Sequence, residues 1–185
     1  SYEKAKKPYQ TVTALAWNKA YADLYAVGFG SYDYVTNAKL GGGLVCCYSL
    51  KNTAHPEATF KTPSGVMCVD WHPNHSPLLV AGLHDGTVCV FDVRVPNSEP
   101  IFSTTDPKTK HTGPVWQVAW NEDPVTLNFY SLSSDGRFVN WVVNKNDLEK
   151  NEIVQLFPDG TAAGTPFRSD EDNVGQPGRL PVKAF

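Results

Sequence analysis

No run of apolar residues in this 185-residue chain approaches the roughly 18 that a membrane-spanning helix needs. The first residues also lack the basic-then-apolar order of a secretory signal. The chain therefore reads as soluble and intracellular, with no membrane partner. Basic residues are too few and too scattered for a polyanion site: 16 Lys and Arg stand against 19 Asp and Glu, for a net charge of −3. The single cluster, Lys4, Lys6 and Lys7, reads as a solvated terminal arm, and no direct nucleic-acid binding is expected. Cysteine is sparse as well. Cys46, Cys47, Cys68 and Cys89 lie inside apolar runs without a Cys-x-x-Cys pair, which excludes the common zinc and redox motifs and predicts buried thiols without a disulfide. Asn74-His75-Ser76 fits a glycosylation sequon, but Pro77 follows it, and a cytosolic chain would not meet the enzyme.

What the chain does have is glycine, proline and an internal repeat. Fourteen Gly and fourteen Pro beside 41% apolar residues describe a turn-rich, mostly β protein. Three segments match: Val12 to Trp17 and Asn18, Val66 to Trp71 and His72, and Val115 to Trp120 and Asn121. Each is a short apolar strand that ends in Trp. Second apolar runs follow at Leu24–Gly28, Leu78–Gly82 and Phe129–Ser133. Asp85-Gly86 and Asp135-Gly136 then supply the pair favoured where a tight hairpin needs positive φ. Third strands are expected at Gly43–Tyr48, Thr87–Phe91 and Arg137–Trp141, with weaker fourth strands near Ala58–Phe60, Pro100–Phe102 and Ile153–Leu156.

The marker tryptophans stand 54 and 49 residues apart, longer than the roughly 40 to 45 of a WD repeat. Insertions at Ser31–Gly42 and Ser103–Lys110 account for the excess. The fold class is therefore all-β: a partial WD-repeat β-propeller of about three four-stranded blades, at about 9–60, 61–110 and 111–157. Residues 158–185 form an irregular linker or disordered C-terminal tail. Three blades do not close a ring, so further repeats or a partner chain are expected to cover the end faces.

The third unit carries the most informative polar set: His111 before the first strand, Ser131 or Ser133 in the second, Asp135 in the turn and Trp141 in the third. Indole N–H to hydroxyl, hydroxyl to imidazole and imidazole to carboxylate would satisfy four buried groups at once. The same His, Ser and Asp would also compose a catalytic triad. That role needs an exposed nucleophile, whereas both serines fall in a strand and no Gly-x-Ser-x-Gly elbow is present. The structural role is preferred, with no catalytic residue, metal or cofactor. Asp70, His72, His75 and His84 lack zinc-site spacing and read as turn residues. Gly28-Phe-Gly30 and Gly41-Gly-Gly43 lack the lysine and helix of a phosphate loop. Tyr32, Asp33 and Tyr34 in the first insertion form the candidate protein-contact loop; the two rings either meet a partner or pack on the neighbouring blade edge.

Tyr9–Asn18, Tyr25–Tyr34, Gly65–Pro73 and His111–Trp120 resemble the WD-repeat region of dynein intermediate chains, the axonemal outer-arm type in particular, over about residues 1–157. The resemblance implies a non-catalytic scaffold subunit of a ciliary or flagellar motor in the axonemal cytoskeleton. Its expected partners are a dynein heavy chain, gripped by its tail, a second dynein intermediate chain and other axonemal dynein subunits. In such a complex ATP hydrolysis belongs to the heavy chain. A general WD-repeat scaffold in cytoplasmic dynein, ciliary transport or signalling is the alternative.

Overall fold

The computed structural model describes residues 11–96, 98–123, 125–145 and 147–156, together with the short strand at 162–164. The basic cluster at Lys4, Lys6 and Lys7 lies outside the described residues, as does most of the segment 158–185.

The first sheet is β1 (Thr11–Trp17), β2 (Leu24–Gly30), β3 (Gly43–Ser49) and β4 (Ala58–Thr62), in that spatial order. The second is β5 (Val66–Trp71), β6 (Leu78–Leu83), β7 (Val88–Asp92) and the two-residue β8 (Phe102–Ser103). The third is β9 (Val115–Trp120), β10 (Asn128–Ser133), β11 (Arg137–Val143) and β12 (Leu148–Leu156). Every neighbouring pair is antiparallel, so each sheet is an up-and-down meander, which is the architecture of a propeller blade.

A further strand, β13 (Ala162–Gly164), pairs with β12 on the outer edge of the third sheet. It is the one strand among the described residues of the segment expected as an irregular tail. Ala-Ala-Gly carries no alternation of its own, and its pairing comes from the unpaired backbone groups that an edge strand offers.

The registers of the three sheets coincide. Trp17 faces Tyr25, Trp71 faces Leu79 and Trp120 faces Phe129. An irregularity falls at the same place in each sheet, after Val12, after Val66 and opposite Val115. Residues can therefore be matched from sheet to sheet one by one. Two Asp-Gly hairpins behave as their chemistry requires: Gly86 and Gly136 adopt φ of 88° and 75°, where a Cβ would be strained. The carboxylates of Asp85 and Asp135 accept the amides of Thr87 and Arg137 across those turns.

The first sheet lacks an Asp-Gly hairpin. In its place the insertion holds a seven-residue helix, α1 (Tyr34–Leu40), where the sequence reads as a loop. Asp33 caps it by accepting the Thr36 amide at 2.7 Å, and Gly41 ends it at φ 61°.

The core lies between sheets. One apolar cluster joins Ala26, Val45 and Phe60 of the first sheet to Val66, Trp71 and Phe91 of the second. Another joins Val80, Val88 and Val90 of the second sheet to Val115, Trp120 and Trp141 of the third. The inner strand of each following sheet supplies a Val and the marker Trp to the junction.

Candidate functional site

His111, Ser131, Asp135 and Trp141 meet in one buried chain in the third sheet. The Trp141 indole donates to Ser131 Oγ at 2.7 Å, and the Ser131 hydroxyl donates to His111 Nε2 at 2.7 Å. His111 Nδ1 in turn donates to Asp135 Oδ2 at 3.0 Å. Asp135 also accepts the amides of Thr112 and Arg137, each at 3.0 Å. Burial holds the His111 imidazole below its ordinary pKa, against the pull of the Asp135 charge, so the ring is neutral at pH 7. Burial pushes the Asp135 carboxyl up, but the amides of Thr112 and Arg137 together with His111 outweigh it and leave its pKa lowered.

Ser133 does not belong to this chain. Its hydroxyl donates to the Gly113 carbonyl at 2.9 Å, inside the turn. Ser133 stands opposite the irregularity in β9, where Trp116 is the extra residue, and Ser131 alone reaches Trp141 and His111. Ser131 and His111 are buried, and the hydroxyl is engaged by both the Trp141 indole and the His111 ring, unlike the exposed nucleophile that a triad needs. The network ties β10 and β11 to the hairpin between them and to the loop before β9. The second sheet has Ala81 and Phe91 where the third has Ser131 and Trp141, so there the polar chain is replaced by apolar packing.

Between sheets a second device recurs. The Trp71 indole donates to the Ala16 carbonyl at 3.1 Å, and the Trp120 indole donates to the Asp70 carbonyl at 3.2 Å. In both cases the acceptor is the residue just before the preceding sheet's marker Trp. Asp70 adds its carboxylate, which accepts the Trp120 backbone N–H at 2.9 Å. Thr13 and Asn18 reinforce the first junction by donating to the carbonyls of Val66 and Ser76 at 2.6 and 2.7 Å. The sequence places Asp70 among the turn residues; its junction role depends on the neighbouring sheet, which local pattern does not reveal.

The residue after each marker Trp caps the following turn. Asn18 accepts the amides of Ala20 and Tyr21, Asn121 accepts that of Asp123, and His72 Nδ1 accepts those of Asn74 and His75. His72 also lies against Trp120, with ring centroids 4.7 Å apart and tilted by 57°, and its Nε2 is buried without a hydrogen-bond partner. Among the described residues Asp70, His72, His75 and His84 do not converge into a group able to hold a metal. Burial pushes the thiols of Cys47, Cys68 and Cys89 up to about 12, leaving them inert as nucleophiles.

In the candidate contact loop, Tyr32 and Tyr34 are 60% and 75% exposed. The Tyr32 hydroxyl donates to the Thr13 carbonyl at 2.8 Å, and the Tyr34 ring lies 5.7 Å from that of His84 in the second sheet. Asp33 is occupied as the helix cap. The loop is thus tied to its own sheet and the next, while one face of each ring stays open.

Three meandering sheets stacked through their inner strands, with a Trp–Ser–His–Asp chain in one of them, define a run of WD-type propeller blades. The profile of the WD domain, G-beta repeat family matches residues 54–92, which take in β4 through β7, the outer strand of one sheet and three strands of the next. Over most of its length the chain is similar to axonemal dynein intermediate chains. It is 43% identical to Dynein axonemal intermediate chain 1 of Rattus norvegicus over 94% of its own length and 24% of the relative's. It is 44% identical to the ciliary Dynein intermediate chain 2 of Heliocidaris crassispina, over 90% and 23%. The match to the 78 kDa intermediate chain of the flagellar outer arm dynein of Chlamydomonas reinhardtii is 45%, over 83% and 22%. The chain thus spans about a quarter of the length of these curated relatives.

Proposed function

We propose that this chain is a non-catalytic scaffold section of an axonemal dynein, placed in the cilium or flagellum. It binds the tail of a dynein heavy chain beside a second intermediate chain, in company with other axonemal dynein subunits. The observation that carries this reading is the identity of 43 to 45% to chains named for axonemal, ciliary and outer-arm dyneins, spread over nearly all of the sequence. The structure is consistent with a scaffold: its His–Ser–Asp set is consumed in holding strands together. Tyr32 and Tyr34 are the side chains through which the first blade meets a partner, as rigid, exposed aromatics on a tethered loop do.

The test is affinity purification of the tagged chain from a ciliated-cell lysate, followed by mass spectrometry. The expected result is recovery of an axonemal dynein heavy chain and a second intermediate chain, reduced when Tyr32 and Tyr34 are both replaced by Ala. Recovery of other assemblies without a dynein heavy chain would overturn the motor reading and leave a general WD scaffold.

A further inference from the structure

The insertion of the first sheet rests on the second sheet at two points, and one stretch of backbone joins them. Tyr34 and Asn37 stand three residues apart on α1 and so share a face of the helix. The Tyr34 ring lies 5.7 Å from that of His84. Asn37 meets Gly65, since a Cβ on Gly65 would fall on Asn37 Oδ1. Gly65 and His84 are themselves bonded, the Gly65 carbonyl accepting the His84 amide at 2.9 Å. The helix face therefore sits on a preformed pair at the end of the β5–β6 ladder.

Asn37 is buried, and only one end of its amide is conventionally satisfied. Its Nδ2 donates to the Ser31 carbonyl, whereas its Oδ1 has no hydrogen-bond partner among the described residues. That oxygen faces the Gly65 Cα–H, a weak contact that only a residue without a side chain allows. Gly65 does not have a positive φ, so space and not backbone conformation requires the glycine. Gly30 and Gly43, where the insertion leaves and rejoins its sheet, follow the same rule: a Cβ would lie 2.6 Å from the Val66 carbonyl oxygen and 2.5 Å from that of Ser64. Three glycines thus bring the Ser64–Gly65–Val66 backbone directly against the base of the insertion. Asn37 also closes the insertion on itself. Ser31, whose carbonyl it binds, accepts the Asp33 amide on its hydroxyl at 3.1 Å, and Asp33 caps the helix at Thr36. Tyr32 and Tyr34 flank Asp33 within this ring of bonds.

We propose that Asn37 is a positioning residue for partner binding and that Gly65 is its seat in the neighbouring sheet. Together they fix Tyr32 and Tyr34 before a partner arrives, which removes the ordering cost that a loose loop adds to association. The inference rests on the reading that these tyrosines meet a partner, and it adds that a glycine of the other sheet governs that contact.

Hydrogen–deuterium exchange on the full chain reads the seat, and recovery of an axonemal dynein heavy chain from a ciliated-cell lysate reads the binding. Gly65→Ala is expected to speed exchange over residues 33–40 roughly tenfold while β6 is unchanged, and to lower recovery as Tyr32→Ala with Tyr34→Ala does. Asn37→Ala is expected to do the same. Because both changes break one contact, adding Gly65→Ala to Asn37→Ala is expected to speed exchange by less than about threefold more. Circular dichroism reports folding, and Asn37→Ala, confined to the insertion, carries the test if Gly65→Ala unfolds the sheets. Unchanged exchange in Asn37→Ala, or two effects that simply multiply, would overturn the seat. A loosened insertion with full recovery would overturn the positioning role where the tyrosine pair lowers recovery. Full recovery with both tyrosines replaced would instead overturn the tyrosine reading, and the positioning role with it, while exchange still decides the seat.

Discussion

Asp70 and Trp120 are joined twice across the second junction: the Asp70 carbonyl accepts the indole N–H and its carboxylate accepts the backbone N–H. The second bond answers a strand amide at the junction between sheets. Asp70→Ala removes that acceptor and is expected to cost about 1–3 kcal/mol in urea unfolding, the range for a buried polar group left unpaired. Asp70→Asn keeps an acceptor and sheds a charge that burial already disfavours, so it is expected to cost less. An Asp70→Ala variant as stable as the native chain would show that the carboxylate bond contributes nothing.

Ser131→Ala strips a partner from both Trp141 and His111, two buried groups at once. The expected loss is about 2 kcal/mol or more by chemical denaturation. Ser133→Ala, which breaks two part-buried turn bonds, one of them long, is expected to lose about 1 kcal/mol or less. The reverse order would place the wrong serine in the network.

Acid should weaken the fold through His72. Burial first, then the nearby charges of His75 and Lys19, lower its pKa from an ordinary value near 6.5 to about 4. The unfolded chain therefore binds a proton that the folded chain refuses. Stability is complete above pH 6.5 and declines as pH falls from 6.5 toward 4. His111, lowered chiefly by burial, acts in the same direction. His72→Asn, which installs the residue found at Asn18 and Asn121, is expected to flatten part of this decline in a pH series of thermal midpoints. An unchanged slope would assign the whole effect elsewhere.

Gly82→Ala places a methyl 2.6 Å from Val115 Cγ1 and Cys68 Sγ, and overpacking of this kind costs about 1–3 kcal/mol. Val115→Ala shortens the knob and should recover part of that loss. A double-mutant cycle is expected to show coupling of roughly 0.5 kcal/mol or more. Strict additivity would mean that the two side chains do not meet.

Much of the fold is legible because each inner strand ends on a Trp and two hairpins carry Asp-Gly, signals that are local and strong. What stays hidden is set by register or by a neighbour. Strand pattern treats Ser131 and Ser133 alike, and only their hydrogen-bond partners separate them. Asp70 looks like a turn-flanking carboxylate until the third sheet brings the Trp120 amide to it. Helix α1 was readable in principle, from an Asp33 cap three residues before Thr36 and from Gly41 at its end, but Tyr-Val-Thr-Asn-Ala-Lys-Leu carries too little helical propensity to stand out.

The second sheet lends Leu79 and Leu83 to one apolar cluster and Val80 and Val90 to the other. It is therefore clamped on both sides, and β6 has no route to solvent that leaves either neighbour in place. Its amides should be the last to exchange with deuterium, trading only when the whole stack opens. A protease cut between β8 and β9 would release no independent domain, since it would uncover the hydrophobic faces of two sheets that had been sealing one another.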